Sequence, residues 1–258
     1  MAKAPGPVTI VTGGSRGIGL AIAATLARDD HRLVLVARDV DRLAQAASTL
    51  QAAGADVATY AADLAEQGAA DDVIRATEAH FGQPDIVINN AGTAPSDKVE
   101  KTTAEMMQQA FDLHVAAPLA FARGCAAEMK RRGSGCLLQV ASTAGLRGYP
   151  FTSAYTAAKH GMVGLTRALH AELAPKGVDV YAVCPGFVDS DITRGAADAI
   201  ADKGDTTAAD ALDLMGRQNR IGRMHTCEEV AEAVAGLLRS RPTGCIFELD
   251  RDPAAFID

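Results

Sequence analysis

Short apolar runs alternate with longer, alanine-rich stretches along the chain. The short runs are apolar at nearly every position, which is typical of parallel strands covered on both faces. They predict strands at residues 8–12, 33–36, 56–60, 85–88, 136–140, 178–183 and 245–249. The longer stretches have helical periodicity and predict helices at residues 18–28, 40–53, 66–81, 104–131, 154–174 and 227–239. Gly54, Gly82 and Gly177 follow three of these helices and suit C-terminal caps.

Strands and helices thus alternate in repeated β-α-β units. Right-handed crossovers between parallel strands build a doubly wound sheet with helices on both faces, so we predict an α/β fold with about seven strands. The 258 residues suit one domain, and no linker or low-complexity tract interrupts them. Residues 192–223 carry a weak pattern and are too long for an ordinary loop. We expect either a disordered segment or a mobile helical lid on the substrate side there.

Composition narrows the range of partners. The net charge is −7 and no Lys/Arg run stands out, so we expect neither a nucleic-acid nor an anionic-membrane partner. The five cysteines are dispersed, without a CxxC pair or a histidine at ligand spacing, which argues against disulfides and a metal site. The first residues do not form a signal peptide, and no apolar run reaches the roughly 18 residues of a membrane span. We therefore expect a cytoplasmic protein with a small-molecule partner.

The first predicted strand runs directly into a glycine-rich turn and a helix of small residues, TGGSRGIG at positions 12–19. Gly13 and Gly17 permit a tight turn and let the backbone approach a pyrophosphate, while Gly19 lets the helix pack close to the sheet. The free N–H groups at the helix N-terminus face the phosphates. A glycine-rich turn without a ligand is the alternative, but the strand–turn–helix context favours a dinucleotide site.

The residue type at the end of the second strand indicates which nicotinamide cofactor binds. NAD enzymes usually carry an acid about 20 residues past the glycines, whereas Arg38 stands nineteen residues after Gly19. A guanidinium suits the 2′-phosphate of NADP, and Arg16 can add a second cation. Asp39 can instead reach the ribose of NAD, or it can be the N-cap of the next helix. We favour the N-cap and NADP over NAD.

Two further segments follow strands at the same predicted sheet edge. Asp63 follows the third strand, where its carboxylate can accept from the adenine amino group. Asn89-Asn90-Ala91-Gly92 follows the fourth strand, where the amides can hold the backbone and Gly92 leaves room for a cofactor. Either segment alone can be a structural cap. Their position at the carboxyl ends of consecutive strands favours a cofactor site.

Three polar residues form a candidate site for carbonyl reduction. Tyr155 and Lys159 are four apart on a predicted helix and project from one face, and Ser142 follows the fifth strand. Tyr155 would act as general acid or base, Lys159 would lower the tyrosine pKa towards working pH and hold the ribose, and Ser142 would donate to the substrate oxygen. A surface Tyr–Lys pair is the structural alternative.

Taken together, residues 12–19, 89–92, Ser142, Tyr155–Lys159 and Pro185-Gly186 resemble the short-chain dehydrogenase/reductase family across nearly the whole chain. The resemblance implies a Rossmann-type sheet, a Ser–Tyr–Lys centre, pro-S hydride delivery and a homo-oligomer, with a tetramer favoured. It also implies that Ile18 lines the cofactor and that Val188 and Ser190 hold the carboxamide. The complete expected cofactor set is Gly13, Ser15, Arg16, Gly17, Ile18, Gly19, Arg38, Asp63, Leu64, Asn90, Ala91, Gly92, Tyr155, Lys159, Pro185, Gly186, Val188 and Ser190.

The chain departs from this family at two places. His114 stands where relatives usually have an asparagine that anchors a water relay to the lysine. It either serves this relay as a catalytic residue, with an ionisation that adds a pH dependence, or is simply a packed helix residue. The C-terminus reads ELDRDP at positions 248–253 instead of an Asp-Gly-Gly-like turn, so family expectations about subunit contacts there do not transfer.

The expected substrate pocket has an apolar wall that suits a hydrophobic ketone or a 3-oxoacyl thioester better than a sugar. Its residues are Ser142, Ala144, Leu146, Tyr149, Phe151 and Phe187. Arg147 is either the nearest fixed charge or an exposed loop residue. We therefore expect an NADP-dependent oxidoreductase acting on a carbonyl or a secondary alcohol. A non-catalytic NADP-binding sensor or scaffold and a dehydratase or epimerase are the alternatives.

Overall fold

The computed structural model describes residues 5–202, 204 and 206–257, apart from the side chain of Ala199. Within these residues, eight strands form one sheet in the order β3-β2-β1-β4-β5-β6-β7-β8. The strands are β1 Val8–Thr12, β2 Arg32–Ala37, β3 Val57–Ala61, β4 Ile86–Asn89, β5 Cys136–Val140, β6 Asp179–Cys184, β7 Ile246–Glu248 and β8 Ala255–Phe256. The first seven strands are parallel, and β8 pairs antiparallel with β7. The doubly wound α/β prediction is confirmed, with one short edge strand that it did not include.

Helices cover both faces of the sheet. They are α1 Gly17–Arg28, α2 Val40–Ala52, α3 Ala69–Phe81, α4 Ala104–Phe111, α5 Ala117–Arg132, α6 Ser153–Leu173, α7 Asp191–Ala201, α8 Ala208–Gln218 and α9 Cys227–Ser240. Among the described helices, none is long and apolar enough to cross a membrane. Nor does any group of three or more described His, Cys, Asp or Glu side chains sit where it could hold a metal ion.

The single helix predicted at residues 104–131 is wrong, because a π-helical turn at Asp112–Ala116 separates α4 from α5. Pro118 follows this turn and has no N–H to donate to the carbonyl of His114, four residues earlier, so regular α-helical bonding is interrupted there. The interruption places His114 in the wider turn, with its side chain buried.

The core consists of two apolar layers, one on each face of the sheet. In β2, Leu33 and Leu35 belong to the layer that contains α1, α2 and α9, whereas Val34 and Val36 belong to the layer that contains α3 and α5. Successive strand side chains point to opposite faces, so most positions in such a strand are apolar. This is why the strands read as mostly apolar runs. Cys125, Cys136, Cys184 and Cys245 are buried.

The topology brings the candidate residues to one edge of the sheet. The strand order reverses at β1, which lies between β2 and β4, and ligands in such sheets bind outside the carboxyl ends of the strands at this point. The loops after β1, β2, β4, β5 and β6 all lie at this edge. The described part of residues 192–223 forms α7 and α8, so the helical alternative for this segment is correct there. Its role as a lid stays a prediction.

Candidate active site

The glycine turn after β1 presents an open helix N-terminus. Arg16 is the N-cap residue of α1, its side chain makes no capping hydrogen bond, and the first turn contains no acid, so the free N–H groups suit an anion. Gly13 and Gly17 have φ values of 65° and 53°, the left-handed region that glycine adopts without strain. A Cβ on Gly19 would lie 2.2 Å from the Gly13 carbonyl oxygen. These features fit the pyrophosphate of a dinucleotide.

Hydrogen bonds tie the loop after β4 to this glycine turn. The Asn90 side-chain amide donates to the carbonyl oxygens of Thr12 at 2.9 Å and Gly13 at 3.4 Å. In return, the Thr12 hydroxyl accepts from the backbone N–H groups of Asn90 at 2.8 Å and Ala91 at 2.9 Å. The predicted backbone-holding role of Asn90 is what the structure shows. The reciprocal role of Thr12 was missed, because a threonine at a strand end carries no distinctive pattern.

The two arginines that are predicted to bind the adenosine end of the cofactor are each paired with an acid. Arg38 lies 3.5 Å from Asp63 and its side chain is 70% exposed, while Arg16 donates to Asp191 of α7 at 2.9 Å. Exposed pairs of this kind contribute little to stability, so a phosphate dianion can displace the acids. Asp39 accepts from the Arg42 backbone N–H at 3.0 Å and is the N-cap of α2, as predicted.

Ser142, Tyr155 and Lys159 meet at the carboxyl end of β5. The buried Lys159 ammonium donates to the Val140 carbonyl oxygen at 2.8 Å and lies 5.7 Å from the centroid of the Tyr155 ring. The Ser142 side chain lies near enough to Tyr155 to influence the tyrosine pKa, and its Oγ accepts from the Ala144 N–H at 3.0 Å. The three predicted residues therefore form one cluster.

The burial of this cluster shifts two pKa values. Burial raises the pKa of Tyr155 to about 12, against the opposing effect of the Ser142 side chain. Burial also lowers the pKa of Lys159 to about 7. The expectation that Lys159 lowers the tyrosine pKa towards working pH stays a prediction; in the protein alone the effect of burial dominates. Tyr155 is consequently protonated at neutral pH and ready to donate.

His114 joins the loop after β4 to the tyrosine. Its Nε2 lies 2.9 Å from the Thr93 carbonyl oxygen, and since a carbonyl only accepts, Nε2 carries the hydrogen. The ring meets that of Tyr155 edge-on, with 5.6 Å between centroids. Its Nδ1 is buried and has no hydrogen-bond partner. Burial and the neighbouring Lys159 lower the pKa of His114 to about 3, and the expected pH dependence from its ionisation stays a prediction.

The predicted substrate residues divide into two groups. The rings of Tyr149 and Phe187 meet edge-on at 5.8 Å, and Ala144 and Leu146 lie buried or partly buried beside Ser142 in the chain. Phe151 is 60% exposed and lines a surface groove with Lys98 and Val99, so its place in the pocket wall stays a prediction.

Arg147 is not an exposed loop residue, and its place as the fixed charge nearest the substrate stays a prediction. Its guanidinium is half-buried, and it donates to Asp250 at 2.8 Å and to the Tyr149 hydroxyl at 2.9 Å. Glu248 lies a further 3.5 Å from the same guanidinium. The charge of Arg147 is therefore compensated inside the protein rather than offered to a ligand.

The loop after β6 completes the edge. The Pro185 carbonyl oxygen accepts from the Thr143 N–H at 2.8 Å, which joins this loop to the one that contains Ser142. A Cβ on Gly186 would lie 2.2 Å from Oδ1 of Asn219, so the loop packs closely against the residue that follows α8. Val188 and Leu64 are buried, and Ser190 is the N-cap residue of α7. These residues stay predicted cofactor contacts.

A dinucleotide turn beside a Ser–Tyr–Lys cluster, both at the carboxyl edge of a doubly wound sheet, defines the class of dinucleotide-dependent oxidoreductases. The family model described as short chain dehydrogenase matches residues 7–201. The chain belongs to the short-chain dehydrogenase/reductase family.

Individual relatives agree with this family. The granaticin polyketide synthase putative ketoacyl reductase 1 of Streptomyces violaceoruber is 33% identical over 234 residues, which cover 90% of this chain and 86% of that protein. A single-residue variant of the actinorhodin polyketide ketoreductase, solved with NADPH, has a TM-score of 0.90 at 29% identity and covers 96% of this chain and 97% of its own. The L-sorbose reductase of Gluconobacter frateurii, complexed with NADPH and L-sorbose, has a TM-score of 0.86 at 30% identity, with 93% and 92% covered.

Proposed function

We propose that this protein is an NADP-dependent ketoreductase that moves a hydride between a nicotinamide and a carbonyl or secondary alcohol. The observation that carries the proposal is the meeting of Ser142, Tyr155 and Lys159 at the sheet edge that also holds the glycine turn. The similar ketoacyl reductase and the two NADPH-bound reductases support it.

The three residues divide the proton chemistry between them. When bound, NADPH supplies the hydride to the carbonyl carbon. Tyr155, protonated at neutral pH, gives its phenolic proton to the carbonyl oxygen, and Ser142 donates a hydrogen bond to the same oxygen. Lys159 uses one of its three donors on the Val140 carbonyl. The others are free for the ribose hydroxyls, and its charge favours the phenolate that forms when the proton leaves.

His114 acts as a positioning residue for this cluster. Its Nε2–H donates to the Thr93 carbonyl in the loop after β4, and its ring packs on the Tyr155 ring. Its Nδ1 has no hydrogen-bond partner and can accept a hydrogen bond in a proton relay to Lys159. We expect His114→Asn to retain much of the activity, since an amide can also donate and accept. Full activity in His114→Ala would exclude the role.

Arg16 and Arg38 select NADP over NAD in this proposal. Both are exposed cations at the adenosine end, and each can exchange its acid partner for a 2′-phosphate, to which a guanidinium binds more strongly. Asp39 is engaged as a helix cap and is less available to a ribose. NAD stays the less favoured cofactor.

The substrate in this proposal is a hydrophobic ketone or a 3-oxoacyl thioester. The edge-on pair of Tyr149 and Phe187 supplies an apolar wall, and the compensated charge of Arg147 leaves that wall without a free cation. We further propose that α7 and α8 lie on the substrate side. A cytoplasmic homotetramer stays the prediction made from the sequence.

The absorbance of NADPH, and separately of NADH, followed with a panel of ketones and 3-oxoacyl thioesters, tests the proposal. We expect oxidation of NADPH in preference to NADH, abolished in Tyr155→Phe with NADPH binding retained. Tyr60→Phe, on β3, is the matched control and should behave as the wild type. Tight NADPH binding without turnover of any panel member would favour the non-catalytic sensor instead.

A further inference from the structure

Two buried acids follow the last parallel strand at the edge that holds the candidate active site. Glu248 ends β7 and is 4% exposed, and Asp250 lies two residues later and is fully buried. A buried carboxylate is costly unless partners compensate it. Both carboxylates therefore depend on the groups that surround them.

The first route from Asp250 leads to the loop that contains Ser142. Arg147 donates from Nη2 to Asp250 at 2.8 Å and from Nε to the Tyr149 hydroxyl at 2.9 Å. A guanidinium only donates, so the Tyr149 oxygen is an acceptor there, and the same hydroxyl shares a hydrogen bond of 2.8 Å with the Thr143 hydroxyl. The carboxylate of Asp250 thus fixes Arg147, Arg147 fixes Tyr149, and Tyr149 is held against the neighbour of Ser142.

The second route leads to the segment that joins α8 to α9. Asp250 accepts from the backbone N–H of Arg220 through its other oxygen at 2.9 Å. The adjacent Asn219 is buried and makes a two-way contact with Phe187. Its Oδ1 accepts from the Phe187 N–H at 2.7 Å, and its Nδ2 donates to the Phe187 carbonyl at 2.8 Å.

Further basic side chains lie close to the two acids. Arg220 and Arg251 approach Glu248 at 3.5 Å and 4.0 Å, and His225 lies 3.6 Å from Asp250. The cluster therefore joins the C-terminal segment, the loop after β5 and the end of α8. Because each carboxylate interacts with several donors, a substitution of Asp250 should perturb the structure of more than one of these segments.

Both routes end on the same aromatic pair, Tyr149 and Phe187, which contact each other edge-on. We infer that Asp250 is a positioning residue that determines substrate selectivity by holding this aromatic wall, although it lies more than a hundred residues from Tyr149 in the chain. The inference rests on the proposed function for the identity of the pocket. It also gives the atypical C-terminus a role in the site rather than at a subunit contact.

Selectivity between a small and a large neutral ketone is the first measurement, with cyclohexanone and α-tetralone as probes. We expect Asp250→Asn to change the ratio of their kcat/KM values by about tenfold, mainly through KM, because a displaced apolar contact has an effect of that size. The Kd for NADPH should stay within about twofold of the wild type. Asp179→Asn removes a carboxylate–arginine pair at the opposite end of β6 and is the matched control. Equal losses for both ketones, with weakened NADPH binding, would overturn the inference.

Tyr149→Phe supplies a milder second variant, because it removes the hydroxyl of the first route and keeps the ring. If Asp250 acts through Tyr149, the two substitutions are coupled, and the double variant changes the selectivity ratio by less than the product of the single changes. Independent, multiplicative effects would show that Asp250 does not position this wall. The milder variant also keeps the test available if Asp250→Asn does not fold.

Hydrogen–deuterium exchange tests whether Asp250 holds these segments, and it does not require turnover of a substrate. In Asp250→Asn we expect faster exchange in residues 143–149 and in residues 219–225. In Tyr149→Phe we expect faster exchange in residues 143–149 alone. Exchange in β1 and the glycine turn should stay unchanged. Unchanged exchange in residues 143–149 would overturn the inference. If the wild type reduces no ketone, the proposed function fails, but this measurement still decides whether Asp250 holds the two segments.

Discussion

Gly92→Ala probes the closest approach between the loop after β4 and the ring of His114. An ideal Cβ at Gly92 would lie 2.6 Å from Cε1 of His114, whereas carbon atoms prefer a separation of about 3.5–4.0 Å. The ring cannot move aside freely, because it is buried, bound to the Thr93 carbonyl and packed on Tyr155. Overpacking of this kind costs about 1–3 kcal/mol. We expect Gly92→Ala to lower the free energy of unfolding by that amount.

Urea unfolding of Gly92→Ala, His114→Ala and the double variant measures the effect. Without the ring there is room for the added methyl, so the cost of Gly92→Ala should fall below about 0.5 kcal/mol in the His114→Ala background. Gly164→Ala is the control, since Gly164 lies on α6 with no atom within 4 Å of an added Cβ. That change should stabilise the helix by about 0.5–1 kcal/mol. A cost at Gly92 that is independent of His114 would refute the steric argument.

Three further predictions concern charge. Arg38→Ala should weaken NADPH binding by about ten- to hundredfold, because a hydrogen bond to a charged group contributes about 1.5–3 kcal/mol. The affinity for NADH should stay unchanged. Equal losses of affinity for both cofactors in fluorescence titrations would remove the argument for NADP. The hydrogen bond from Arg223 lowers the pKa of Glu229 to about 2, so this pair stabilises the fold above about pH 4.5 and is lost as the pH falls towards 2. Glu229→Gln should therefore lower the melting temperature at neutral pH, with a difference that shrinks in acid; a difference independent of pH would contradict this. Burial lowers the pKa of Lys159 to about 7, so the unfolded chain binds more protons than the folded protein from about pH 7 to pH 10. Wild-type stability should therefore rise with pH relative to Lys159→Met, and equal slopes in urea unfolding would speak against the lowered pKa.

Local periodicity was sufficient for most of the architecture. Every predicted strand is present to within two residues at either end, because strands covered on both faces are mostly apolar. The two-residue strand Ala255–Phe256 was not predicted, since two residues show no periodicity. The break at His114 was not predicted either. Its neighbours continue a helical pattern, and Pro118 alone does not distinguish a π-helical turn from a helix start.

The sequence by itself determined which backbone positions can turn tightly at Gly13 and Gly17, and that Tyr155 and Lys159 share a helix face, because these properties depend only on neighbouring residues. Only the tertiary structure decided that Arg147 serves Asp250 rather than a ligand, and that Thr12 holds the loop of Asn90. These partners are brought together by the crossovers of the sheet. The pKa shifts of the buried cluster depend on the same packing, since burial is a property of the whole fold rather than of any local pattern.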